Sequence, residues 1–166
     1  MNKKNQNNGN SRKNSYSSEN QSQNNQPQEL SYFRLSLLSF LRESHPELAS
    51  DTDFIATRGD SAAEAYSETV RSGLSHDVAA EVANEVLFEN LGFSKYDTIV
   101  TVLWNEFENE VPQGTAKSLA LQLLPVCEEV FAKYPLSDDF AFEPQFDNLY
   151  TELTGTILIW LDEHDV

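Results

Sequence analysis

The sequence is poor in the residues that mark common chemistries. It has one cysteine, one methionine, three histidines and six glycines in 166 residues. With Cys127 alone, no disulfide can form within the chain. The glycines never fall into G-x-G-x-x-G or precede Lys-Ser/Thr, so the usual phosphate-cradling loops are missing. No apolar run approaches the roughly 20 residues that span a bilayer. The Asn/Gln/Ser-rich start has no apolar segment of the kind a secretion signal needs. A cytoplasmic protein of bacterial type, with no cofactor and no membrane association, is expected. Basic residues are scarce as well: 11 Lys and Arg stand against 27 Asp and Glu, a net charge of −16.

That charge is unevenly placed. Residues 1–28 hold Lys3, Lys4, Arg12 and Lys13 against Glu19, a net of +3, which leaves −19 for residues 29–166. The same 28 residues contain nine Asn, five Gln and five Ser, with Tyr16 as the one large ring. Such a segment buries too little surface to offset chain entropy, so a disordered tail is expected. Its four basic residues allow an alternative as a small basic arm that touches a partner or nucleic acid. The acidic body repels phosphates, which excludes sequence-general nucleic-acid binding by residues 29–166.

Residues 29–166 carry helical periodicity throughout. Leu30, Phe33, Leu37, Leu38 and Leu41 recur at three- and four-residue steps, widened by Tyr32, Leu35 and Phe40, and Pro46 ends the helix near Ser44. Between Asp51 and Ser72 lie one or two helices, with Gly59-Asp60 as the possible break and Gly73 as the C-terminal cap. Ser75 and Ser94 are N-caps of the next two helices. The first presents Val78, Val82, Val86, Ala79, Ala83 and Leu87. The second presents Tyr96, Ile99, Val100, Leu103, Phe107 and Val111 and stops at Pro112. A fifth helix starts at Thr115 and is kinked or broken at Pro125. Ser137 to Glu143 is a turn with Phe140 and Phe142 packing inward. The last helix, after Pro144, has the cleanest stripe: Phe146, Leu149, Tyr150, Leu153, Ile157, Trp160 and Leu161. The reading is all-α: a single bundle-like domain of about six helices at 29–166, preceded by the disordered tail at 1–28.

No catalytic or metal site emerges. Cys127 lies between Val126 and Val130 and reads as a small buried hydrophobe. His45, His76 and His164 have no ligand partners at helical spacing and read as surface residues. Glu128/Glu129, Asp138/Asp139 and Asp162/Glu163 are adjacent pairs that suit a solvated face. Glu106 and Glu110, one helical turn apart, are the weak cation-site candidate. Four polar residues within well-patterned segments, Arg58, Asn105, Glu106 and Glu152, are candidates for a buried network or a groove lining.

Several segments also carry a family resemblance: Glu29-Leu30-Ser31-Tyr32-Phe33-Arg34-Leu35, Leu41-Arg42-Glu43-Ser44-His45-Pro46, Asp53-Phe54-Ile55-Ala56-Thr57-Arg58, Ala83-Asn84-Glu85-Val86-Leu87-Phe88, Leu103-Trp104-Asn105-Glu106-Phe107, Tyr134-Pro135-Leu136-Ser137-Asp138-Asp139-Phe140 and Leu149-Tyr150-Thr151-Glu152-Leu153-Thr154-Gly155. With these, residues 29–166 resemble the domain of unknown function 1896, small proteins of Bacteroides-type bacteria often encoded near conjugative transposons. The resemblance implies a mostly helical fold and a link to mobile elements. It supplies no reaction. In those motifs Tyr32, Phe33 and Leu37 anchor the first helix, Trp104 and Phe107 the fourth, and Gly155 permits close helix approach. The expected function is a non-enzymatic protein-binding accessory factor of a mobile element, with an unidentified protein partner. The alternative is an acidic DNA-mimic inhibitor of a DNA-binding or nuclease protein. An enzyme with an unrecognised site is the third reading.

Overall fold

The computed structural model describes the backbone of residues 26–164, with side chains from Tyr32 onward. The expected tail therefore lies outside the described residues, apart from 26–28, which open the first helix. Six α-helices follow in order: α1 Gln26–Ser44, α2 Thr52–Arg71, α3 His76–Leu87, α4 Lys95–Glu106, α5 Gln113–Phe131 and α6 Phe146–Glu163. A short 3-10 turn, Phe140–Phe142, precedes α6. There is no strand among the described residues.

Local signals set most boundaries. Asp51 caps α2 by accepting from the Phe54 N–H at 2.9 Å. Ser75 and Ser94 cap α3 and α4 through the Val78 and Asp97 N–H groups. Gly73 takes φ +90° just past α2, where a side chain would be strained.

Other boundaries depart from the pattern. α2 is one helix, and Gly59 does not break it. A Cβ there would lie 2.6 Å from Arg34 Cγ, so Gly59 lets α1 approach. Asp60 beside it accepts from Arg34 Nε at 3.0 Å and Nη2 at 2.6 Å. α4 ends at Glu106, six residues before Pro112, although Phe107 and Val111 remain buried. α5 begins at Gln113 and runs through Pro125 without interruption. A helix-interior proline costs about 3 kcal/mol. Here Leu123, Cys127, Val130 and Phe131 are all buried around it, at about 1.5–3 kcal/mol for each large apolar side chain.

The helices pack as two trios. In the first, α2 lies against both α1 and α3. Phe33, Leu37, Leu41, Ala62, Ala83 and Leu87 form its core. In the second, α4, α5 and α6 pack on one another. Its centre is Val102, Leu103, Leu123 and the α6 stripe Leu149, Leu153, Ile157 and Leu161, all at most 3% exposed.

Four aromatic or aliphatic expectations fail. Tyr32 and Leu35 are each 65% exposed, Trp104 is 40% and Phe142 is 88% exposed. Phe33 beside Tyr32 and Leu103 beside Trp104 take the core positions instead, as do Leu37, two residues after Leu35, and Phe140, two residues before Phe142. Val78 is also on the outer side of α3. Gly155 permits no close approach, because nothing lies within 4 Å of a Cβ built there.

Candidate functional site

The two trios meet at the α3–α4 connection, and the side chains there set the site. Leu91 is buried in the first core, while Phe93 packs on the second. Phe93 meets Phe140 edge to face at 5.5 Å between centroids, and Phe131 and Phe146 at 6.5 and 6.4 Å. Gly92 between them has room for no side chain: an added Cβ would lie 2.7 Å from Asp138 Cβ and 2.9 Å from Asp138 Cα.

Asp138 holds this connection. Its carboxylate accepts from the Gly92 N–H at 2.9 Å and the Asn90 N–H at 3.2 Å. Asn90 itself takes a left-handed φ of 60°. Ser94 acts twice. Its hydroxyl caps α4 and also donates to the carbonyl of Ser44, the last residue of α1. A helix-terminal carbonyl that lacks an internal partner is thereby satisfied.

His45 completes the junction. It is 5% exposed, so its expected surface placement is corrected. Nε2 donates to the Leu91 carbonyl at 2.9 Å, and Nδ1 lies 3.5 Å from Glu47 Oε1. Burial pulls its pKa down, but the bonds to Glu47 and Leu91 and the charges of Glu47 and Asp97 outweigh it and leave the pKa raised. Burial likewise pushes Glu47 up, and the bond to His45, a bond from its own backbone N–H and the charges of His45 and Lys95 more than reverse this, so its carboxyl lies below the usual range.

These groups border an open cleft of about 440 Å³. Leu48, Leu91, Phe93, Leu124 and Leu136 give it an apolar floor, and His45, Glu47, Lys95 and Glu128 its polar rim. Lys95 Nζ reaches both Glu128 oxygens at 2.8 and 2.9 Å. The volume lies in the range of small-ligand sites, and its mixed lining is of the same kind.

The four candidate polar residues do not converge on this cleft. Arg58 donates from Nη1 to the carbonyls of Val86 at 3.3 Å and Glu89 at 2.7 Å, at the end of α3, and stacks over Phe54. Asn105 and Glu106 come together through Tyr150: Asn105 donates to its hydroxyl at 3.3 Å, which donates to Glu106 at 2.9 Å. Burial, then the bond to Glu106, hold the Tyr150 phenol above its usual range despite Asn105. Glu152 stands apart, accepting from Lys133 and from the Tyr134 hydroxyl at 2.6 Å each. Those two bonds lower its carboxyl pKa. The four thus form three separate sets.

Other candidates resolve simply. Glu106 and Glu110 are not a turn apart on one helix, because α4 ends at Glu106. Among the described residues no group of three or more His, Cys, Asp or Glu is placed to hold a metal ion, and no helix is long and apolar enough to cross a membrane. Cys127 is fully buried, and that burial pushes its thiol up to about 11. Sequence patterning missed Asp138, read as a solvated acid, and Phe93, which lies on no helix. Its one usable signal was the Gly92-Phe93-Ser94 run between two helices.

The comparisons agree with this architecture. A search of curated proteins finds no match. The crystal structure of protein PG0816 from Porphyromonas gingivalis superposes with a TM-score of 0.80 at 45% sequence identity, covering 84% of this chain and 95% of that one. The model of the domain of unknown function DUF1896 matches residues 25–166. The chain belongs to the DUF1896 family.

Proposed function

We propose that this protein is a non-catalytic accessory factor that binds a basic protein partner through its carboxylate surface, in the setting of a bacterial mobile element. The observation that carries the reading is the imbalance of its ion pairs. Residues 32–164 contain 24 Asp and Glu against seven Lys and Arg. Among the described residues, Lys or Arg pairs with only Asp60, Glu128 and Glu152. The remaining carboxylates repel one another, and a partner of opposite sign relieves that repulsion. Exposed apolar side chains, notably Phe142 at 88% and Ile159 at 61%, supply contact area beside the charges. Arg58, Asn105, Glu106 and Glu152 are held in structural bonds, which supports a non-catalytic role. The mobile-element setting rests on the family resemblance.

Affinity capture from the native host, followed by mass spectrometry, tests the proposal. A basic protein enriched by the wild type, and lost when Glu129, Asp162 and Glu163 are changed to Lys, is expected. If no protein is enriched over the control, the reading fails. Elution of the captured partner by duplex DNA would instead favour mimicry of a phosphate backbone.

A further inference from the structure

His45 faces an acceptor on each ring nitrogen. The Leu91 carbonyl lies 2.9 Å from Nε2, so that nitrogen must carry a hydrogen. The Glu47 carboxylate lies 3.5 Å from Nδ1, and an unprotonated Nδ1 would turn a lone pair toward it. Only the doubly protonated ring satisfies both. The ring is 5% exposed, so water cannot readily replace the Leu91 carbonyl. It sits where the α1–α2 corner meets the α3–α4 connection, next to the Ser94–Ser44 hydrogen bond and on the rim of the cleft.

We propose that His45 is a pH-sensitive latch: as an imidazolium it holds Glu47 and makes a charge-assisted bond that pins the α1–α2 corner to the α3–α4 connection, and its deprotonation at Nδ1 frees Glu47, weakens without removing the Nε2–H bond to Leu91, and loosens the rim of the cleft. The charged groups around it are Glu47 on its own corner, Asp97 and Lys95 on α4, and Glu128 of α5, which is neutralised by Lys95. Glu47 and Asp97 both favour the cation.

The signs follow from linkage. The folded pKa of His45 is raised above 6.5, so its contribution is complete below pH 6.5 and is lost as pH rises through the folded value. The folded pKa of Glu47 is lowered from 4.5, so its contribution is present above pH 4.5 and is lost as pH falls through the folded value. The latch is therefore tightest between these limits and opens on the alkaline side.

Long-range proton–nitrogen NMR of the histidine rings in the full chain tests it, with His45→Gln to assign the signal. Both His45 nitrogens should carry protons at pH 6.5, and the midpoint should lie above that value. In Glu47→Gln, which removes a partly exposed partner and keeps the fold, the midpoint should move to lower pH. Amide protection at Leu91 and Gly92, corrected for intrinsic exchange, should drop across the wild-type midpoint. A neutral His45 ring at pH 6.5, a midpoint that Glu47→Gln leaves in place, or protection that is flat across the midpoint overturns the proposal.

Discussion

Two glycines make the same substitution carry opposite signs. At Gly92 an alanine Cβ would sit 2.7 Å from Asp138 Cβ and 2.9 Å from Asp138 Cα and O. Two of those three atoms are backbone, so the neighbour cannot swing away. Gly92 does not hold a left-handed φ, so the effect isolates the contact. Loss of unfolded-state freedom alone would stabilise the variant by about 0.4–1 kcal/mol. Forcing atoms apart in a packed site costs about 1–3 kcal/mol. The Asn90 and Gly92 bonds to Asp138 would lengthen in addition. Gly92→Ala should therefore be destabilised by about 1–3 kcal/mol in all. Gly155 is mid-helix in α6 with nothing within 4 Å, so Gly155→Ala should gain about 0.5–1 kcal/mol. At about 2–4 °C per kcal/mol for a chain of this size, melting temperatures should fall by several degrees for one and rise by a few for the other. Urea unfolding followed by circular dichroism measures both. A Gly92→Ala variant at least as stable as wild type would refute the close approach of the connection to Asp138. A destabilised Gly155→Ala would refute the open helix face.

The remaining predictions concern single side chains. Phe140 is fully buried and Phe142 is 88% exposed. Phe140→Ala should cost about 3–5 kcal/mol in chemical unfolding, whereas Phe142→Ser should stay within about 0.5 kcal/mol of wild type. Equal losses would show that the turn is placed wrongly. Cys127, with its thiol at about 11 and no exposed surface, should resist thiol reagents at pH 8 and react at the rate of unfolding; prompt labelling of the native protein would contradict its burial. Arg58→Met keeps the apolar stem but removes the donor to Val86 and Glu89, and should cost about 1–2 kcal/mol. Faster amide exchange should then appear at the end of α3, and unchanged exchange there would count against the contact.

Features set by neighbours in sequence were readable before the structure. Ser75 and Ser94 cap their helices because a short polar side chain reaches an N–H three residues on. The stripe Leu149, Leu153, Ile157 and Leu161 is buried because four-residue steps fall on one helix face. Features set by distant partners were not readable. Gly59 reads as a helix break and Gly155 as a point of close approach, yet Gly59 is the one that meets Arg34 of α1 and Gly155 meets nothing. His45 precedes a proline in a polar corner, which marks surface, but Leu91, 46 residues away, buries it. Asp138 looks like half of a solvated acidic pair until the connection brings Asn90 and Gly92 onto it. Pro125 marks a helix end on local grounds, and the burial of Leu123 and Cys127 carries the helix through it. The candidate polar residues lie within helices, whereas the cleft is bordered mainly by the corners between them.

The most direct test of the functional reading is the salt dependence of binding between the purified chain and its captured partner. Raising ionic strength from about 0.1 M to about 1 M shortens the screening length from about 10 Å to about 3 Å. A partner that recognises the carboxylates left without a Lys or Arg partner should bind at least about tenfold more weakly at the higher salt, with most of the loss in the association rate. Affinity that is unchanged across that range would contradict a charge-read interface.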